Sequence, residues 1–259
     1  MHVSDLAAAM ERIAPTGLAE PWDNVGLLLG DPAAPLTGVH LAIDLTREVV
    51  AEAKLHGASA IVAYHPPIFK PVKRLLAGEA SFDAITAGMS VYSPHTAWDA
   101  VPGGVNDALA DLFPLSDVKA LVPATGGNAL PRCGMGRLGT VSGERGEMIR
   151  AIREKLGLGG VLVAGPHTGA AKVVAVCAGA GGGLLDAALK AAADVYLVGE
   201  LSHHDALRAA NAGMTVIATL HSNAERFSLA HLRAKLVPAL QSVPVTLSAC
   251  DRDPLKIIS

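Results

Sequence analysis

Short apolar runs that stop abruptly at a histidine or an acid dictate much of what this chain can become. Residues 39–43 read as a strand ending at Asp44. Residues 60–63 read as a strand ending at Tyr64-His65-Pro66-Pro67, residues 89–92 as one before His95, and residues 216–218 as one before His221. Runs this short and this rich in Val, Ile and Ala suit strands buried on both faces, and two prolines in succession cannot continue a central strand. Between them lie segments with helical spacing of Leu and Ala, over 46–56, 81–87 and 226–239. Strands alternating with helices predict an α/β fold. Aromatic residues make up 3% of the chain and glycine 27 positions, so the layers must pack largely through small side chains.

The composition excludes several classes. A formal net charge of -3 without a basic block argues against nonspecific nucleic-acid binding, which needs clustered Lys and Arg. Cys133, Cys177 and Cys250 are far apart and form no CxxC pair, so neither a disulfide framework nor a thiolate zinc site is indicated. A reduced cytoplasm is the expected compartment. Asp5 and Glu11 interrupt the N-terminus, which therefore does not read as a signal peptide, and no apolar run reaches membrane-spanning length.

At 259 residues the chain has room for two small domains. Residues 115–171 differ in character. They hold Gly126-Gly127, Gly134-Met135-Gly136 and a glycine-rich turn at 157–160, with strands at 138–141 and 161–164 flanking a helix at 144–156. This passage predicts a linker into a second α/β domain. We place the boundary after residue 118, giving domains 1–118 and 119–259, with the last strands packing back on the first domain. The later sequence echoes the earlier one: strand 173–176, turn, helix 184–193, strand 195–198 and then Glu200 and His203-His204 repeat the order seen from 39 to 65.

In α/β folds, ligand groups gather at the carboxyl ends of strands. Asp44, His65, His95 with Asp99, and His221 with Glu225 all fall there. His221 and Glu225 stand four residues apart at a helix start, a spacing that lets an imidazole and a carboxylate close on one cation. Each residue also has a plain reading: Asp44 as a helix cap, His65 as a packed loop histidine, His95 as one bonded to a loop carbonyl, Glu225 as a solvated acid. Mixed imidazole and carboxylate ligation without sulfur suits zinc, manganese, iron or nickel. Glu200 with His203-His204 reads either as a substrate-facing group or as an exposed helix start. The run Gly179-Ala180-Gly181-Gly182-Gly183 matches neither nucleotide fingerprint and reads best as a tight turn against a neighbour.

Six ordered motifs then carry a resemblance: Glu20-Pro-Trp-Asp-Asn-Val-Gly26, Tyr64-His-Pro-Pro-Ile-Phe69, His95-Thr-Ala-Trp-Asp99 with Gly103-Gly-Val-Asn106, the 179–183 glycine run, Gly199-Glu-Leu-Ser-His-His204, and His221-Ser-Asn-Ala-Glu225. Together they resemble the NIF-three-like dinuclear metal-centre family, whose members are often described as GTP cyclohydrolase I type 2 homologues. The resemblance implies two α/β domains, a two-metal site in the interdomain cleft and a ring-shaped homohexamer. It implies that His65 and Asp99 bind one metal, that His221 binds the other, that Glu225 bridges, and that His95 lies beside them. It implies hydrolysis by a metal-activated water, with His95 or Glu200 transferring the proton and a purine nucleotide as substrate. The rival expectation is a hexameric metal-binding or partner-binding scaffold without turnover.

One departure stands out. Many bacterial members carry two consecutive histidines where this chain has Tyr64-His65. Tyr64 and the closing Asp251-Arg-Asp-Pro-Leu255 are similar to the eukaryotic branch. The resemblance therefore implies one or two divalent metals per chain, the second position being the weaker.

Overall fold

The computed structural model of the chain describes residues 1–124 and 132–258. The Gly126-Gly127 pair of the expected linker lies outside the described residues. The chain divides into two compact units, residues 1–101 with 228–251, and residues 102–227 with 252–259. By this division residues 102–118 group with the second unit, and residues 228–251 with the first.

The first unit runs α1 (Val3–Ile13), β1 (Gly26–Leu29), β2 (Val39–Ala42), α2 (Arg47–Leu55), β3 (Ala60–Ala63), α3 (Ala80–Thr86), β4 (Ser90–Ser93) and α4 (His95–Ala100). The second unit follows with α5 (Val105–Ala110), β5 (Ser116–Pro123), β6 (Gly134–Glu144), α6 (Arg145–Lys155), β7 (Leu162–Ala164), β8 (Ala170–Ala180), α7 (Leu185–Lys190), β9 (Val195–Glu200), α8 (His203–Asn211), β10 (Thr215–Ala218) and α9 (Asn223–Arg226). The chain then returns to the first unit with α10 (Leu229–Leu240) and β11 (Val245–Leu247).

The first unit's sheet has the order β1-β4-β3-β2-β11. Strands β4, β3, β2 and β11 are parallel, and β1 closes the edge antiparallel to β4. Every residue of β2, β3 and β4 is buried, as expected of strands covered on both faces. Helix α2 shows why this order is stable. The Thr46 hydroxyl accepts from Val49 N–H and caps the helix, while Val49, Val50 and Ala53 turn one face onto Ile61, Ala63 and Val91. Each fully buried Val or Ile of this cluster contributes about 1.5–3 kcal/mol relative to exposure.

The second unit's sheet has the order β5-β6-β8-β9-β10-β7. Its β8, β9 and β10 are parallel, and the remaining strands pair antiparallel. Tyr196, Val198, Leu185, Ala188 and Val216 form its core. The echo in the sequence is structural: β2-α2-β3 and β8-α7-β9 are both parallel strand-helix-strand units.

Three elements differ from the sequence expectation. Strand β5 carries Ser116-Asp117 and is mostly exposed, so no apolar run announces it. The helix expected from 226 to 239 starts three residues later, as α10, and is preceded by the separate short α9; the buried Ser228 hydroxyl between them accepts from Trp98 Nε1 (3.3 Å). Residues 251–257, whose sequence reads as a short strand-like run, form no strand, because the Asp251 and Asp253 carboxylates bind backbone N–H groups and Pro254 lacks a donor. Among the described residues no helix is long and apolar enough to cross a membrane.

The parallel strands set the chemistry. Asp44, His65 and His95 follow the carboxyl ends of β2, β3 and β4, which are neighbours in one sheet. Gly179, Glu200 and His221 fall at the carboxyl ends of β8, β9 and β10, which are neighbours in the other.

Candidate metal centre

In the first unit His65 Nδ1 donates to Asp44 Oδ1 at 2.8 Å. Asp44 therefore orients His65 as well as following β2. Tyr64 is fully buried and its hydroxyl donates to Oδ1 of the buried Asp99. The rings of Tyr64, His65 and His95 meet edge to face, with centroids 5.2 to 5.8 Å apart.

His95 is held from the other side. Its Nδ1 donates to Asp23 Oδ1 at 2.8 Å, and Asp23 Oδ2 accepts from Thr96 N–H (3.1 Å) and from the Thr96 hydroxyl. Burial of Asp23 alone would raise its pKa, but the bonds from His95 and Thr96 outweigh it and hold the carboxyl below its ordinary value. His95 has φ +27°, an uncommon conformation for a residue with a side chain. The turn that aims it carries that strain.

In the second unit His221 Nδ1 donates to Glu200 Oε1 at 3.0 Å, and His221 Nε2 lies 3.4 Å from Oε1 of the buried Glu225. Leu220, just before it, also has a left-handed backbone, φ +71°. Two glycines make room. Gly179 has φ +61°, and a Cβ there would lie 2.5 Å from Glu225 Oε1 and 3.2 Å from His221 Nε2. A Cβ on Gly199 would lie 2.8 Å from His221 O and 2.6 Å from Gly179 O. The glycine run thus leaves β8 at Gly179, against the His221–Glu225 pair, and turns through a short 3-10 segment at Gly181–Leu184.

The residues singled out in the sequence fall into two groups. His65, Asp99 and His95 are joined through Tyr64 in the first unit, and His221, Glu225 and Glu200 are joined in the second. His203 and His204 sit exposed at the start of α8, capped by Ser202, with rings 5.4 Å apart. Asp23, Asp251 and Asp253 were not assigned roles from sequence. Asp251 Oδ2 accepts from Ile43 N–H (3.0 Å), next to Asp44, and Asp253 Oδ2 from Ser222 N–H (3.0 Å), next to His221. Acids clustered after the last strand, in Asp251-Arg252-Asp253, were the available signal. A cavity of about 500 Å³ in the second unit, lined by Glu144, Ile149, Arg150, Val163 and His167, includes none of these residues.

Known proteins share this arrangement of sequence and fold. The sequence model described as Duf34/NIF3 (NGG1p interacting factor 3) matches residues 1–254. NIF3-like protein 1 of Drosophila melanogaster is 35% identical over 96% of this chain and 87% of its own length. A GTP cyclohydrolase 1 type 2 homolog of Clostridium perfringens is 31% identical over 100% of both chains. The crystal structure of a hypothetical protein of Staphylococcus aureus matches with a TM-score of 0.91 at 27% identity, covering 100% of this chain and 99% of that one. Matches of that extent, over both sheets and every motif, place the chain in the DUF34/NIF3 family.

Proposed function

We propose that the chain is a divalent-metal hydrolase, with His65, Asp99, His221 and Glu225 as ligands and a purine nucleotide as its substrate class. The observation that carries this reading is a matching tether on two imidazoles: His65 Nδ1 on Asp44 and His221 Nδ1 on Glu200. A carboxylate that accepts a hydrogen bond from Nδ1–H fixes the ring and the tautomer and leaves Nε2 as the metal-binding nitrogen. The donor set fits a cation, since it joins imidazoles to buried carboxylates and includes no thiolate, which suits zinc, manganese, iron or nickel. The purine class is carried over from relatives whose name is GTP cyclohydrolase 1 type 2 homolog.

When bound, a divalent cation supplies Lewis acidity and lowers the pKa of a coordinated water towards ~7. The chain's own residues do the rest. Asp44 and Glu200 hold the two ligand rings, and Tyr64 holds Asp99. His95, tethered at Nδ1 by Asp23, is the proton-transfer group, because an imidazole held by one ring nitrogen can accept or give up a proton at the other. Glu200 acts as the tether of His221. A homohexameric ring belongs to the same reading, and light scattering at micromolar concentration tests it against a monomer mass.

The decisive experiment is elemental analysis after gel filtration. Glu225→Gln and Asp99→Asn each lose most bound metal while keeping the folded circular-dichroism spectrum. Full metal content in both variants removes the ligand assignment. Turnover of metal-loaded protein on nucleotides and phosphoesters, against Asp99→Ala, then separates a hydrolase from a metal-binding scaffold.

A further inference from the structure

Beside His95 the first unit presents an aromatic corner that neither the metal ligands nor the proton transfer uses. Trp22 is 59% exposed and Phe69 45% exposed, although both are large apolar side chains. Their rings meet edge to face at 5.9 Å, and His95 lies 6.2 Å from Trp22 and 6.5 Å from Phe69. Scattered exposed apolar residues are ordinary. Two rings converging on a tethered histidine are a shaped feature.

The corner is also built to stay in place. Trp22 sits on the turn closed by Asp23 N–H to Glu20 O (2.9 Å). Glu20 N–H donates to the Thr96 hydroxyl (3.0 Å), and the neighbouring Asp23 binds both His95 and Thr96. Asn24 Nδ2 donates to Ile68 O (2.5 Å), joining the Trp22 turn to the loop that carries Phe69. The turn and loop that carry the two exposed aromatics are thereby held by bonds that include a buried carboxylate. A site whose backbone is already ordered loses less freedom when a ligand binds.

The Phe69 loop adds charge. Between β3 and α3 it carries Lys70, Lys73 and Arg74, all exposed, three cations within five residues of a chain whose net charge is -3. An aromatic platform with adjoining cations matches a planar heteroaromatic ring that bears phosphate.

We propose that Trp22 and Phe69 form the stacking face of a nucleotide subsite beside His95, with Lys70, Lys73 and Arg74 receiving the phosphate. The proposal rests on the function proposed above and specifies where its substrate binds. It requires no metal, so the two readings fail separately.

The chain offers a direct probe, since it has two tryptophans and Trp98 is fully buried. Quenching by an added ligand therefore reports on Trp22. Metal-stripped protein is titrated with guanosine monophosphate, guanosine and ribose 5-phosphate, with metal content measured on a parallel sample. Saturable quenching by the nucleotide is expected, weaker quenching by the nucleoside, and none by the sugar phosphate. Phe69→Ala weakens nucleotide binding by about tenfold or more, as loss of a stacking surface does. Joint substitution of Lys70, Lys73 and Arg74 by Ala reduces nucleotide affinity to that of the nucleoside. In Trp22→Ala, equilibrium dialysis shows the same weakening while the Trp98 emission is unchanged, which confirms the fold. Equal affinity for nucleotide in the native protein, Trp22→Ala and Phe69→Ala overturns the proposal. So does quenching that follows protein concentration with a rise in scattering mass, which would mark the corner as a contact between copies. Nucleotide binding by protein that takes no metal upholds this subsite and defeats the metal reading, and the reverse result does the opposite.

Discussion

Asp253 Oδ2 accepts two bonds from Ser222, one from its backbone N–H at 3.0 Å and one from its hydroxyl at 2.7 Å. Ser222 follows His221, so this carboxylate fixes the turn that presents the imidazole. Two residues earlier in the chain, Asp251 Oδ2 accepts from Ile43 N–H, and Ile43 precedes Asp44, the tether of His65. The acids of one short C-terminal motif thus brace the backbone beside each candidate ligand histidine. A charge-assisted bond to a backbone donor contributes about 1.5–3 kcal/mol. We expect Asp253→Ala to weaken metal binding by about tenfold or more, with Asp253→Asn intermediate because its amide oxygen still accepts. Calorimetric titration of stripped protein checks this, and unchanged affinity in Asp253→Ala would leave the brace with a folding role alone.

Gly179 gives a sharper steric test. Its φ of +61° is one that a side chain adopts at a cost of about 1–2 kcal/mol, and the added Cβ would sit 2.5 Å from Glu225 Oε1. A carboxylate that must retreat from a Cβ cannot keep its place beside His221 Nε2. Gly179→Ala should lower both the melting temperature and the metal affinity. Gly183→Ala, where a Cβ meets nothing within 4 Å, is the control and should change neither. Equal metal affinity in both variants would show that the glycine serves the strand turn only.

Much of this was legible in the sequence, for reasons that can be named. Residues 60–63 and 216–218 are short apolar runs stopped by polar residues, and they form β3 and β10 almost as read. His65, His95 and His221 therefore had to emerge at strand ends. Strand β5 was not legible, because an edge strand gains stability from backbone pairing with β6 and needs no apolar signal. The tethers were legible only in part. Asp23 lies in the Glu20–Gly26 motif, but its bond to His95 spans 72 residues, and no local periodicity encodes such a contact.

A pH effect follows from His40, which is fully buried in β2. Its Nδ1 pairs with the Thr246 hydroxyl (2.8 Å) and its Nε2 with Glu52 Oε2 (3.2 Å), the His56 ring stacks at 5.5 Å, and Asp251 lies nearby. Burial lowers its pKa below the ordinary 6.5, and the opposing pull of Glu52 is too weak to restore it. The folded chain thus resists a proton that the unfolded chain accepts. By linkage, this histidine's contribution to stability is present above pH 6.5 and is lost as pH falls below it. Denaturant midpoints at pH 7.5 and about 5.5 should differ more in the native chain than in His40→Gln. The same difference in both would assign the acid sensitivity to other groups.

On the metal reading proposed above, Tyr64 sets how many cations the chain would hold. Its hydroxyl donates to Asp99 Oδ1, and both side chains are buried. A donating phenol keeps its proton, so it offers no anionic ligand. Tyr64 therefore positions Asp99, and the metal position that the resemblance assigns to His221 lacks the imidazole that many bacterial members carry at this place. Structural sites usually provide about four ligands, so that position should bind loosely and exchange with buffer. Calorimetric titration of stripped protein should show one tight cation and a second, weaker one. Tyr64→His adds a ligand that binds while neutral and should tighten the weaker position. Tyr64→Phe should lower stability by about 1–3 kcal/mol, the cost of leaving a buried carboxylate oxygen one donor short, without tightening that position. Two equally tight cations in the native chain, with no gain from the histidine, would show that the second position never depended on residue 64.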